Sequence, residues 1–170
     1  MIGNDVIDIL QSRKESNWQR KGFKEKLFTI EEQLLISNAS IPEIMVWVLW
    51  SMKEAAYKVY NRQTKIREYI PRKLVCSIKS ENHNYITGQV ICSENTYHTK
   101  TFFSENQIHT IAVSFLADLN NVMEIERKSS ILKDENNIPY LINSSSNTMQ
   151  NVSKSHHGRF EKVVTIKTVN

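Results

Sequence analysis

A helical period with almost no polar face runs through the first half of this chain. Between Ile41 and Asn61, placed at 100° per residue, Ile44, Met45, Val48, Leu49, Met52, Ala55, Ala56 and Val59 cover more than half of the circumference. Ser51, Glu54, Lys58 and Asn61 fill the remaining stripe, bordered by Trp47, Trp50 and Tyr57. A helix this apolar must be covered on most of its sides, so the rest of the chain has to supply the cover. Pro42 and the Ser40/Glu43 spacing place its start near Ile41, with a capping box. Thr29 and Glu32 form a second such box, predicting a short helix from Ile30 to Ser37. The stretch from Trp18 to Lys26 reads as basic and irregular.

The cover is predicted to be sheet. Residues 2–10 read as a buried strand, and after Tyr69-Ile70-Pro71 the texture turns to β-branched alternation. RKLVCSIKS, NYITGQVICS, TYHTKTFFS and IHTIAVSFL suggest an antiparallel meander, with a further strand near Val122 to Glu126. Residues 143–158, rich in Ser, Asn and His, read as a loop before a last strand, RFEKVVTIK. The expected class is α+β, a long helix packed on an antiparallel sheet. With 170 residues and no repeat or clean linker, one domain over 1–170 is expected.

Composition narrows the function classes. No apolar run has the length of a membrane span, and MIGNDVIDIL lacks the make-up of a secretory signal. Cys76 and Cys92 stand without metal-ligand spacing and read as reduced, buried thiols of a cytoplasmic protein. The net charge of +4 suits an acidic partner. The basic residues form no block and no aromatic-basic strand motif, which argues against nucleic acid. His109 reads as a packed or edge histidine.

Three charges are left to explain. Glu54 and Lys58 fit an i,i+4 surface ion pair, or they face a ligand within the aromatic-walled stripe. Asp5 interrupts the first strand on the face of Ile7, while Asp8 points to the other face. It either accepts backbone N–H groups at a strand end or needs a cation, since an unpaired buried carboxylate is costly. Two isolated carboxylates beside a lysine match a Mg²⁺ phosphate site, because magnesium takes one or two carboxylates plus phosphate oxygens and water.

IGNDVIDI followed by WSMKEAAYK resembles the paired signature of the 4′-phosphopantetheinyl transferases, a Gly-x-Asp strand and then W/F-x-x-K-E-A-x-x-K on a helix. Gly3, Asp5, Trp50, Lys53, Glu54, Ala55 and Lys58 fall in register. FKEKLFTIEE is similar to the family's intermediate segment, with Lys26 in an arginine's place. NNIPYL and NVSKSHHGRF resemble its C-terminal G-K-P-Y-L and V-S-x-S-H segments, with Asn137 and Ile138 replacing Gly-Lys. Length and motif order are similar to the short, holo-acyl-carrier-protein-synthase-like branch. The strands of residues 72–127 then form a β-rich elaboration.

The resemblance implies transfer of the phosphopantetheine arm of coenzyme A to a serine of an apo acyl or peptidyl carrier protein, as in fatty-acid biosynthesis. Adenosine 3′,5′-bisphosphate leaves. It implies Mg²⁺ on Asp5 and Glu54, catalytic roles for Glu54 and Lys58, and coenzyme A contacts from Lys53, Lys58, Ser155 and His156. Glu54 accepts the serine proton directly or through a metal-bound water. It also implies a homotrimer in which Ser155 and His156 approach the metal site of a neighbouring subunit, unless the elaboration permits a monomer. The changed C-terminal segment leaves a non-catalytic binder of coenzyme A or carrier protein as the alternative.

Overall fold

A computed structural model describes residues 1–126, 131–142 and 147–167. The first strand, β1 (Ile2–Asp8), runs into α1 (Ile9–Glu15), α2 (Phe23–Leu27), α3 (Ile30–Asn38) and the long α4 (Pro42–Thr64). Four antiparallel strands follow: β2 (Val75–Glu81), β3 (Tyr85–Cys92), β4 (Asn95–Phe103) and β5 (Gln107–Val113). A 3₁₀ turn (Leu116–Asn121) leads to β6 (Val122–Glu124), β7 (Leu132–Lys133), β8 (Pro139–Ile142), β9 (Met149–His157) and β10 (Phe160–Ile166). Among the described residues, no helix is long and apolar enough to cross a membrane.

Among the described residues the strands make two five-stranded sheets, in the orders β1-β5-β4-β3-β2 and β6-β10-β9-β8-β7. The meander of residues 72–127 thus contributes four of the five strands of the first sheet, and β1 closes it by pairing with β5 (Asp5 opposite Thr110). α4 lies across the first sheet, and Val46, Val48, Leu49, Met52, Ala55, Ala56 and Val59 are buried there with Ile7, Ile86, Val90 and Ile108. Burying each of the valine, leucine, isoleucine and methionine side chains contributes about 1.5–3 kcal/mol, which is why the apolar circumference of α4 requires the sheet.

β1 is buried on both faces. Gly3, Asp5 and Ile7 face α4; Ile2 faces the second sheet and packs with Val164. The approach to α4 is tight enough that a methyl at Gly3 would run into the Ala55 carbonyl and come within 3.1 Å of Lys58 Cβ. On its free edge β1 is not paired with a strand but capped by side chains: Ser153 Oγ accepts from Asn4 N (2.9 Å), and Lys58 Nζ donates to Asn4 O (2.6 Å).

Several local expectations need correction. Ile9 and Leu10 belong to α1 rather than the strand, because Asp8 accepts from Leu10 N and Gln11 N and so starts a helix. The Ser40/Glu43 box does not form: α4 is preceded by Ile41 without a side-chain cap, and Glu43 instead binds Arg13 at 2.8 Å. The Thr29/Glu32 box does form. Within the basic stretch, residues from Phe23 are helical. Most of the region read as a loop at 143–158 is the strand β9, since Val152, Ser153 and Ser155 have buried partners on β1 and β10; residues 143–146 lie outside the described part.

Candidate active site

Asp5 and Glu54 meet at one pocket of about 290 Å³, whose walls include Trp47, Trp50, Glu15, His156 and His157. Asp5 is there because the odd positions of β1 face α4, and Glu54 because it lies in the narrow polar stripe of α4. Neither carboxylate is neutralised well. Burial pushes Asp5 up to about 6, against the opposing pull of the Lys58 ammonium, which stands 3.8 Å away. Burial, followed by repulsion from Asp5, pushes Glu54 up to about 7, again opposed by Lys58. Glu54 has no hydrogen-bond or ion-pair partner among the described residues. The i,i+4 ion pair with Lys58 is therefore not made; Lys58 turns to β1 instead, and reaches Lys154 O at 3.4 Å.

Two half-buried carboxylates on one pocket, one of them raising the proton affinity of the other, form a place for a cation. Among the described residues no cluster of three or more His, Cys, Asp or Glu side chains is grouped to hold a metal. A pair is what Mg²⁺ uses when phosphate oxygens and water complete its shell, so this donor set fits that ion.

Lys58 lines a second, smaller pocket of about 160 Å³ with Asn61, Arg62, Asn137, Pro139 and Lys154. Three cationic side chains around one hollow suit a phosphate-bearing ligand. Arg62, one turn beyond Lys58, is held by Pro139 O, Asn151 Oδ1 and Val152 O (2.6 Å), while its Nε is buried without a partner. Its i+4 spacing from Lys58 was the signal in the sequence. Asn137 adopts φ +59, the left-handed region that asparagine enters more readily than most residues, so it preserves a backbone that glycine would also serve. Ile138 is buried and brings no charge.

Lys53 is not at the site. Its ammonium lies in the core, 2.8 Å from both Glu32 oxygens and bonded to Pro71 O and Leu74 O. The expected coenzyme A contact is corrected for a steric reason: side chains of this pair are at most 1% exposed. Ser155 also turns away from the pocket, its buried hydroxyl accepting from Asn4 Nδ2 at 3.3 Å. His156, its neighbour on β9, points the opposite way, into the Asp5 pocket. Strand alternation sets Ser155 and His156 on opposite faces, and the bond to Asn4 keeps Ser155 away from the pocket. Both belong to the same chain as Asp5, so the serine-histidine segment reaches the carboxylates without a neighbouring subunit.

A model of the 4′-phosphopantetheinyl transferase superfamily matches residues 1–115, which include Asp5, Lys53, Glu54 and Lys58. The chain belongs to the 4′-phosphopantetheinyl transferase superfamily. The match passes through the meander as far as β5, and the C-terminal segments around Pro139 and His156 lie beyond it. No curated protein matches the chain. Membership supports phosphopantetheinyl transfer as the general activity, with carrier protein and coenzyme A as the partners the superfamily implies.

Proposed function

We propose that this transferase moves 4′-phosphopantetheine from coenzyme A to the serine of an apo acyl or peptidyl carrier protein, as the holo-acyl-carrier-protein-synthase branch does. The observation that carries this reading is the convergence of Asp5 and Glu54, both with raised proton affinity, on one pocket beside Lys58. In the reaction the serine oxygen bonds to the β-phosphorus of coenzyme A. The bond from that phosphorus to the bridging oxygen breaks, and adenosine 3′,5′-bisphosphate departs. Asp5 and Glu54 would hold Mg²⁺, which would supply positive charge for the pyrophosphate.

The remaining roles fall to the chain's own side chains. Lys58, anchored on Asn4 O, directs its positive charge towards the space between the two pockets and offers its third proton to a phosphate oxygen. Arg62 and Lys154 extend that positive field along the smaller pocket. His156 supplies a hydrogen-bonding ring at the mouth of the carboxylate pocket. Glu54, on the wall of the same pocket, takes the serine proton. Trp47 and Trp50 wall the reacting centre and limit water.

A second reading, a non-catalytic binder, is favoured by Ile138 standing where the family pattern carries a lysine. Incubation with coenzyme A, Mg²⁺ and a panel of apo carrier proteins, read by intact mass, separates the two. A transferase adds one phosphopantetheine unit to at least one carrier. Tight binding of coenzyme A with every carrier unmodified would leave only the binder.

A further inference from the structure

Asp8 lies on the face of β1 opposite Asp5 and is 1% exposed. Its Oδ1 accepts from Leu10 N (3.0 Å) and Gln11 N (3.3 Å), which starts α1. That task occupies two N–H groups. Three further bonds come from the β9–β10 turn: Arg159 N (3.0 Å) and Nε (2.7 Å) donate to Oδ2, and Nη2 donates to Oδ1 (2.8 Å). The guanidinium fork thereby holds the Asp8 carboxyl well below the usual carboxylate range.

The main chain of Asp8 makes a second fastening. Asp8 N donates to His157 Nδ1 at 2.9 Å, so the proton of the neutral ring resides on Nε2, 3.0 Å from Glu15 Oε2 in the last turn of α1. The turn between these attachments has no room for a side chain. Gly158 adopts φ +54, and a methyl there would lie 2.5 Å from Asp8 Oδ2 and 2.9 Å from Gln11 Cβ. His156 directly precedes this fastened turn and lines the Asp5 pocket, as does His157.

We propose that Asp8, Arg159 and the His157 ring form a clamp that positions His156 at the mouth of the transfer pocket. Asp8 and Arg159 are then positioning residues for phosphopantetheinyl transfer, and this rests on the function proposed above. Arg159 is the member to perturb, because its side chain is half exposed and its loss opens no cavity, whereas loss of Asp8 also removes a helix cap.

The test is a double-mutant cycle on Arg159→Gln and His156→Ala, measured as kcat and KM for coenzyme A, with thermal melting as a control on folding. Nitrogen-15 NMR of the His157 ring in the same proteins gives a readout that needs no turnover. Each single variant is expected to lose on the order of 10²-fold in rate, the scale of a reacting group misplaced by about 1 Å. The double variant is expected to be no slower than the slower single, since both act through one device. Arg159→Lys should recover part of the loss, and it replaces Arg159→Gln in the cycle if the latter melts early. His157 should hold its proton on Nε2 in the wild type and exchange between nitrogens in Arg159→Gln. Losses that multiply in the double variant, or a His157 signal unchanged by Arg159→Gln, overturn the clamp. A wild type that modifies no carrier overturns the transferase reading instead, while the NMR result still decides whether the clamp exists.

Discussion

Replacing Glu54 by Gln removes one of the two charges that the site forces together, and the cost of that charge can be worked from its surroundings. Burial, then repulsion from Asp5, lifts Glu54 from an ordinary 4.5 to about 7. Between those values the folded chain holds a proton that the unfolded chain has released. Stability therefore falls as pH rises through this window, and the loss is complete above the folded value. A shift of this size corresponds to roughly 3 kcal/mol, and solvent in the open pocket reduces it to about 2 kcal/mol. Glu54→Gln keeps the shape and carries no such penalty. Urea unfolding in chelator at about pH 5 and about pH 8 should show the variant gaining about 2 kcal/mol on the wild type across the interval. Excess Mg²⁺ at the higher pH should then stabilise the wild type by binding only the folded form, and the variant much less. Parallel pH curves for the two proteins would refute the burial argument. Equal stabilisation by Mg²⁺ would remove Asp5 and Glu54 as the cation site.

Three further outcomes are expected. Lys58→Met should weaken coenzyme A binding in calorimetric titration, whereas Lys79→Met on the exposed part of β2 should not; equal affinities would place Lys58 outside the ligand site. Lys53→Met should cost about 3–5 kcal/mol in urea unfolding, because Glu32 would be left charged and buried, and unchanged stability with lost coenzyme A affinity would return Lys53 to the site. Asp5→Ala and His156→Ala proteins should show no gain in rate when their subunits are mixed, because the structure brings both residues to one pocket within one chain. Recovered activity after verified subunit exchange would establish a shared site.

Elements whose signals are local were legible from the amino acids alone. The period of α4, the Thr29/Glu32 box and the alternation of β2 to β5 each depend on neighbours within a few residues, and each is present in the structure. The face on which Asp5 lies also followed from the two-residue repeat of β1, and the motif spacing gave the superfamily. Where a side chain's partner lies far along the chain, the sequence was silent or misleading. Lys53 and Glu54 are adjacent, yet 100° of rotation sends one to Glu32 in the core and the other to the Asp5 pocket. The serine- and asparagine-rich tail looked like a loop because its apolar residues are few. It is a strand because Asn4 and Asp8, some 150 positions earlier, supply the partners for Ser153, Ser155 and His157. Asp8, read from the sequence only as a strand residue facing away from Asp5, caps α1 and becomes the anchor of the last hairpin when β9 and β10 arrive beside β1. Local hydrogen bonding and periodicity can be read from a string; the pairing of polar groups across the fold requires the tertiary structure that brings them within 3 Å.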